Sequence, residues 1–151
     1  MKLNTNQNNY DEQLKMLCIA VEDKKTAGFI LYKSNDENEQ ICIANKLSNN
    51  ITKLNLIINA SDLTKENLPS NLYNIKQLLK ESNAKVVVIC NIQKCREINK
   101  DYIETLNSLR DVLISLDKIW IFGMTNDFAT DLSRKAPDLY SCIMNHFDFT
   151  E

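Results

Sequence analysis

The sequence predicts an α/β protein, a three-layer α/β/α sandwich built on a mostly parallel five-stranded sheet. Short apolar runs alternate with amphipathic helices along the 151 residues, which is typical of a parallel sheet covered by helices on both faces. The run VVVIC at 86–90 is apolar throughout, as expected of a central strand buried on both faces.

The elements follow one another as one helix and then five strands separated by helices. The polar residues 1–10 are expected to be frayed. The predicted strands are 29–32, 54–58, 86–90, 119–122, which Gly123 stops, and 146–149, an edge strand. The predicted helices are 11–22, one from the capping residues 34–36 to Asn50, one over about 72–81, 101–116, and one from Thr125 or Asn126 to Lys135. We divide the chain into 1–26, a polar segment and helix, and 27–151, the α/β domain.

Composition excludes several classes of partner. The net charge is −2, so there is no basic field to attract nucleic acid or anionic lipid. No apolar stretch reaches the length of a membrane span and the N-terminus lacks the apolar region of a signal peptide, so we expect a cytoplasmic protein. Five cysteines, one of them Cys90, and the single histidine His146 favour reduced thiols and no metal site.

Two segments resemble a known family. The first is LNSLRD at 106–111, followed by the apolar strand 119–122. The second is RKAPDLYS at 134–141, followed by FDF at 147–149. Together they resemble the end of the NTPase-like domain that precedes tetratricopeptide repeats in many bacterial multidomain proteins. The resemblance covers 27–150 and implies a P-loop NTPase-like fold. The sequence departs from the family where Ser141, Cys142 and Ile143 follow Tyr140, in place of further aromatic and basic residues.

The residues that would bind and hydrolyse a nucleoside triphosphate are missing. A P-loop needs glycines that let backbone amides curl around the phosphates, and a lysine that reaches them. The corresponding turn, KSNDEN at 33–38, has no glycine and places Asp36 and Glu37 where phosphate oxygens would lie. The neutral Asn91 stands after the strand where a Mg²⁺-binding acid is needed. We therefore expect no cofactor, no catalytic residues and no hydrolysis.

Two groups of residues are candidates for binding. In open α/β sheets ligands bind beyond the carboxyl ends of the strands, which predicts a ligand or partner crevice there. The crevice residues are Ser34, Asn35, Asp36, Asn91, Thr125 and Asn126. On the helices, Asn107, Arg110 and Asp111 share one face through their i, i+3 and i+4 spacing. With Asp138 and Tyr140 they form a candidate surface for docking a protein partner, with a solvated polar face as the alternative.

Three functions remain open at this point. The first is a non-catalytic protein-interaction or regulatory domain on a degenerate P-loop NTPase scaffold, with an unidentified protein partner and an open oligomeric state. The second is a nucleotide-binding sensor that does not hydrolyse. The third is a small enzyme of another class that uses Asp36, Asn91 or Cys90.

Overall fold

A computed structural model describes residues 2–80 and 82–150, with side chains from residue 7 onward. Eight α-helices and five strands lie within these residues. In chain order they are α1 (Lys2–Asp23), β1 (Gly28–Lys33), α2 (Glu37–Asn50), β2 (Asn55–Asn59), α3 (Leu72–Leu79), β3 (Val86–Cys90), α4 (Cys95–Ile98), α5 (Tyr102–Ser108), α6 (Arg110–Ser115), β4 (Ile119–Met124), α7 (Asn126–Lys135), α8 (Pro137–Ser141) and β5 (Ile143–Asp148). None of the helices in this part of the chain is both long and apolar enough to span a membrane.

The five strands form one sheet in the order β2-β3-β4-β1-β5, and every neighbouring pair is parallel. The predicted fold class is confirmed, and the sheet is wholly rather than mostly parallel. The central strands β3 and β4 are buried along their whole length, as their continuous apolar runs predict. β2 and β5 are the two edges, so the prediction of an edge strand at the end of the chain is also confirmed.

Helices cover both faces of the sheet. On one face, α3 and α5–α8 pack on side chains that include Phe29, Val87 and Trp120. The Trp120 indole N–H donates to the carbonyl of Leu113 at 2.9 Å, which satisfies its polar group inside the core. On the other face, α1 and α2 pack on alternate residues of the same strands, for example Ile30. This alternation follows from the period of two along a strand.

The bounds of two helices differ from the prediction, and the short helices α4 and α8 were not predicted. α1 begins at Lys2 rather than Asp11, and Met1 lies outside the described residues. The helix expected over 101–116 is divided at Leu109, whose φ of −86° and ψ of −3° leave the regular helix. The Leu109 N–H donates to the carbonyls of both Thr105 and Leu106, a bifurcated bond typical of a helix end. The apolar periodicity continues across this break, so the sequence does not reveal it.

Gly123 does not stop β4, contrary to the prediction, since the strand continues to Met124. The glycine is required for a different reason. A Cβ at this position would lie 2.4 Å from Cζ and 2.5 Å from Oη of Tyr32. Tyr32 is fully buried, so its ring occupies the space that the missing side chain leaves. Gly123 therefore permits close packing between two adjacent central strands.

Candidate functional site: the carboxyl edge of the sheet

Three neighbouring strands end side by side where the carboxyl ends of the strands lie. We call this side of the sheet the carboxyl edge, as distinct from the outer strands β2 and β5. Because β3, β4 and β1 are adjacent and parallel, the segments after Cys90, Met124 and Lys33 meet there. The Ser34 N–H donates to the Met124 carbonyl at 2.9 Å. The Asn126 N–H donates to Oδ1 of Asn35 at 2.9 Å. The predicted crevice residues of β1 and β4 are thus brought together, although they are about ninety positions apart in the chain.

The connection between β1 and α2 is short, and its own side chains make hydrogen bonds at the start of α2. Only positions 34–36 separate the last strand residue, Lys33, from the first helical residue, Glu37. Asp36 caps the helix, its Oδ1 accepting from the Glu39 N–H at 2.9 Å, and Ser34 Oγ donates to Oε1 of Glu39 at 2.5 Å. No residue at 34–36 has a positive φ, so the alternating backbone conformation that turns successive amides onto an anion is missing.

A buried glutamine joins the ends of β1 and β3. Gln40 is fully buried. Its Nε2 donates to the Ser34 carbonyl at 2.8 Å and its Oε1 accepts from the Asn91 N–H at 2.6 Å. Its backbone carbonyl accepts from the Tyr32 hydroxyl at 2.8 Å. Gln40 was not among the predicted site residues. Its position four residues before Ala44 puts a polar side chain on the apolar face of α2, which is a detectable signal.

Asn91 is fully engaged inside the protein. Its backbone has φ 58° and ψ 37°, a left-handed conformation that asparagine adopts more readily than most residues. Its Nδ2 donates to the Glu37 carbonyl and to Oδ1 of Asn59, both at 3.2 Å. Its Oδ1 accepts from Nε2 of Gln93 at 3.2 Å. The side chain of Asn91, at the position where a metal-binding acid would be needed, therefore connects the end of β3 to β2 and α2.

Charges around the edge do not favour a polyphosphate. Lys94 Nζ lies 2.9 Å from Oε2 of Glu37 and 3.3 Å from Oε2 of Glu97, and hydrogen bonds to these two carboxylates raise the pKa of Lys94. The nearby cation is thus paired with acids. Asp36, Glu37 and Glu39 lie in or beside the first turn of α2, where the helix dipole would otherwise attract an anion.

An open groove of about 600 Å³ adjoins this edge, between α1, α2 and the end of β5. Tyr10 and Phe149 form an apolar wall, with ring centroids 5.4 Å apart, and Lys46 Nζ lies 4.9 Å from the Tyr10 centroid. Three carboxylates line the groove, those of Asp36, Glu39 and Asp148. The groove is therefore more acidic than basic.

Asp148 links the groove to β1. Its Oδ2 lies 3.5 Å from Lys33 Nζ, and the same ammonium donates to Oδ1 of Asn126 at 3.1 Å. Partial burial acts to raise the pKa of Asp148, but hydrogen bonds from Thr150 and the charge of Lys33 outweigh it, and the pKa is lowered. Lys33 thus connects the ends of β1, β4 and β5, and it is not oriented as a free phosphate ligand.

The predicted docking residues lie away from this edge. They belong to α5, α6 and α8, and α8 leads directly into the start of β5, at the amino end of the sheet. Oδ1 of Asn107 accepts from the Leu139 N–H at 3.0 Å, so Asn107 holds α8 in place. Arg110 pairs with its neighbour Asp111 at 3.2 Å, and Asp111 is exposed. The exposed members of this group are Asp111 and Asp138, with Tyr140 partly exposed against His146.

The remaining predicted residues have structural contacts. Thr125 caps α7 by accepting from the Phe128 N–H at 3.3 Å. Cys90 is buried, and burial raises its pKa to about 11, so its thiol is protonated at neutral pH and poorly nucleophilic. Within residues 2–80 and 82–150, no group of three or more His, Cys, Asp or Glu side chains is placed to hold a metal ion.

Comparisons with known proteins show similarity in fold. No protein-family model matches the chain, and no curated protein sequence matches it. Two similar solved structures are described as a DNA replication initiation factor and as Pif1 helicases that unwind forked double-stranded DNA. The first is 11% identical over 90% of this chain and 44% of that one, with a TM-score of 0.47. The second is 12% identical over 93% of this chain and 43% of that one, with a TM-score of 0.48.

The class of the molecule is defined by its own fold, an α/β sandwich with a five-stranded parallel sheet. The chain spans less than half the length of either solved structure. At these TM-scores the likeness carries no argument about activity.

Proposed function

We propose that the chain is a non-catalytic protein-interaction or regulatory domain on a P-loop NTPase-like scaffold that has lost its nucleotide site. One observation carries the proposal. At the three-residue connection between β1 and α2, the Ser34 hydroxyl donates to Glu39, Asp36 accepts from the Glu39 N–H, and the Ser34 carbonyl accepts from Gln40. A polyphosphate would need several free, convergent amides at that point.

A partner surface at the carboxyl edge is consistent with the charges there. The groove and its rim carry exposed Asp36 and Asn38 and the half-exposed carboxylate of Asp148. Such a surface suits a protein segment with basic side chains, because complementary charge orients an encounter. The exposed Asp111 and Asp138 near the amino end form a second acidic area for the same kind of partner.

Two measurements test the proposal. Phosphate release from ATP or GTP with Mg²⁺ is expected to stay at the level of a protein-free control. A partner recovered from host lysate and then purified is expected to bind the wild type and to bind Asn38→Lys at least about tenfold more weakly. Gln77→Lys, which adds the same charge on exposed α3 at the opposite face, is expected to bind like the wild type.

Specific outcomes would overturn this function. Saturable turnover of either nucleotide would show an enzyme. A purified partner whose affinity is equal for the wild type, Asn38→Lys and Gln77→Lys would show that the groove is not the interaction surface. Saturable nucleotide binding without turnover would favour a nucleotide-binding sensor instead.

A further inference from the structure

The groove between α1, α2 and the end of β5 has opposite charges at its two ends. Glu39, Cys42 and Lys46 line it, and their i, i+3 and i+7 spacing puts them in one stripe along α2. The seven residues from Glu39 to Lys46 rise about 10 Å along the helix. Because α2 begins at the carboxyl edge of the sheet, the Glu39 end of the groove lies at that edge and the Lys46 end lies two turns away.

The end of the groove at the carboxyl edge is negative. Asp36 and Asp148 line it there together with Glu39. Asp36 and Glu39 are each held in place by one carboxylate oxygen, since Oδ1 of Asp36 accepts from the Glu39 N–H and Oε1 of Glu39 accepts from the Ser34 hydroxyl. Their second oxygens make no hydrogen bond or ion pair with the side chains described in residues 7–80 and 82–150. These two oxygens are therefore acceptors for an incoming cation.

The other end of the groove is positive. Lys46 Nζ lies 3.5 Å from the Tyr10 hydroxyl and 4.9 Å from the centroid of the Tyr10 ring. Among the same described side chains Lys46 forms no ion pair, although three carboxylates line the groove. The opposite charges are therefore kept apart within one groove, where each can pair with a complementary group of a ligand.

The space between the two ends suits a segment of protein chain. The groove holds about 600 Å³, which is within the usual range of ligand sites. Its apolar wall is fixed, because the Phe149 ring packs edge-on against both Tyr10 and Tyr32. In an extended segment of the polyproline II type, residues three positions apart lie on the same side and about 9 Å apart. That separation matches the distance between the charged ends.

We propose that the groove binds an extended protein segment that carries a basic residue and, three positions away, an acidic residue. This inference rests on the proposed function and states the chemistry of its partner. The basic side chain pairs with the second oxygens of Asp36 and Glu39, and arginine fits them best because its planar fork donates to two acceptors. The acidic side chain pairs with Lys46. The apolar stems of both side chains contact the Tyr10 wall.

Selection from a random octapeptide library displayed on phage tests this pattern. Peptides enriched on the wild type are expected to carry a basic and an acidic residue three positions apart. Lys46→Glu makes both ends of the groove acidic and is expected to enrich peptides with two basic residues instead. Lys100→Glu makes the same charge change at an exposed position after α4 and is expected to enrich the wild-type pattern. No enrichment on the wild type, or the same pattern on all three proteins, would overturn the proposal.

Alkylation of Cys42 locates the bound peptide. Cys42 is exposed and lies between the charged ends, whereas Cys142 is partly exposed just before β5, away from the groove. At ten times its dissociation constant, a selected peptide is expected to slow the reaction of Cys42 with iodoacetamide about tenfold. The rate at Cys142, followed by mass spectrometry in the same samples, is expected to stay unchanged. An unchanged rate at Cys42 would place the peptide elsewhere and contradict the proposal.

Removing one charge at a time tests the two ends separately. Glu39→Gln, which keeps an oxygen to accept from Ser34, and Lys46→Met are each expected to weaken binding of a selected peptide at least about tenfold. Lys100→Met is the matched control and is expected to bind like the wild type. A purified protein partner that Asn38→Lys weakens and Lys46→Met leaves unchanged would retain the proposed function and contradict the requirement for an acidic residue.

Discussion

At the scale of single residues, buried polar side chains occupy the place where a P-loop nucleotide-binding protein would need phosphate and metal ligands. Ser34, Gln40 and Asn91 are fully buried polar residues. Gln40 bonds to the backbone of the other two, and Ser34 and Asn91 also bond to the side chains of Glu39 and Asn59. A buried polar network is stabilising only while every member is satisfied. The loss of any one partner should therefore lower stability more than an exposed substitution would.

Gln40→Leu is expected to lower the free energy of unfolding by about 2–4 kcal/mol, because it leaves the Asn91 N–H and the Ser34 carbonyl buried without partners. Urea denaturation followed by circular dichroism measures this. Gln77→Leu makes the same chemical change at an exposed position of α3 and is expected to stay within about 0.5 kcal/mol of the wild type. Equal effects of the two substitutions would mean that the Gln40 network contributes nothing.

At the scale of elements, packing between strands and between helices explains the residues whose roles the apolar pattern of the sequence did not predict. The apolar runs predicted β1 to β4, as expected of strands in a parallel sheet. The last strand was predicted from alternation over 146–149, and β5 begins three residues earlier, at Ile143. The break at Leu109 was not predictable, because the apolar periodicity continues across it. The partners of Gln40 were not predictable either, since Asn91 is 51 positions away in the sequence. The crevice residues Asn35 and Asn126 were predicted because strand ends share one edge in any parallel sheet.

Gly123→Ala is expected to lower the free energy of unfolding by about 1–3 kcal/mol, because the added methyl group would overlap the buried Tyr32 ring. Gly28→Ala is the matched control in the neighbouring strand. Its Cβ would meet Cε and Nζ of Lys24, the mobile end of a side chain that can move aside. Thermal unfolding of both variants should separate them, and a larger loss for Gly28→Ala would contradict the packing described for Tyr32.

Asn107→Ala is expected to cost about 1 kcal/mol of stability, because the Leu139 N–H in the first turn of α8 loses its acceptor. Arg110→Ala removes only an exposed contact with Asp111 and should leave the urea midpoint unchanged. If a basic partner docks on this surface, Arg110→Ala will instead strengthen partner binding at unchanged stability, because it frees the Asp111 carboxylate. An Asn107→Ala variant as stable as the wild type would show that α8 does not depend on this cap.

At the scale of the whole molecule, the burial of thiol and phenol groups makes the free energy of unfolding depend on pH in the alkaline range. Burial raises the pKa of Cys90 from 9.0 to about 11 and that of Cys95 from 9.0 to about 12. Burial also raises the pKa values of Tyr32 and Tyr102. Above pH 9 the unfolded chain releases these protons before the folded chain does, so the free energy of unfolding falls as pH rises.

Stability measured between pH 7 and pH 11 is expected to be flat to about pH 9 and then to fall, on the order of 1 kcal/mol per pH unit for each buried thiol. The Cys90→Ala/Cys95→Ala double variant should fall less steeply over the same range. Equal slopes for the wild type and this double variant would contradict protonated, buried thiols.

The most direct test of the proposal that the strand ends do not bind a nucleotide is a titration of isotope-labelled protein with ATP and Mg²⁺. It is followed through the backbone amide signals of residues 34–38. The Ser34 N–H is bonded to the Met124 carbonyl and the Asp36 N–H to Ser34 Oγ, and carboxylates lie beside the remaining amides, so these signals should not move at millimolar nucleotide. Saturable shifts of the same amides at micromolar ATP would contradict the account.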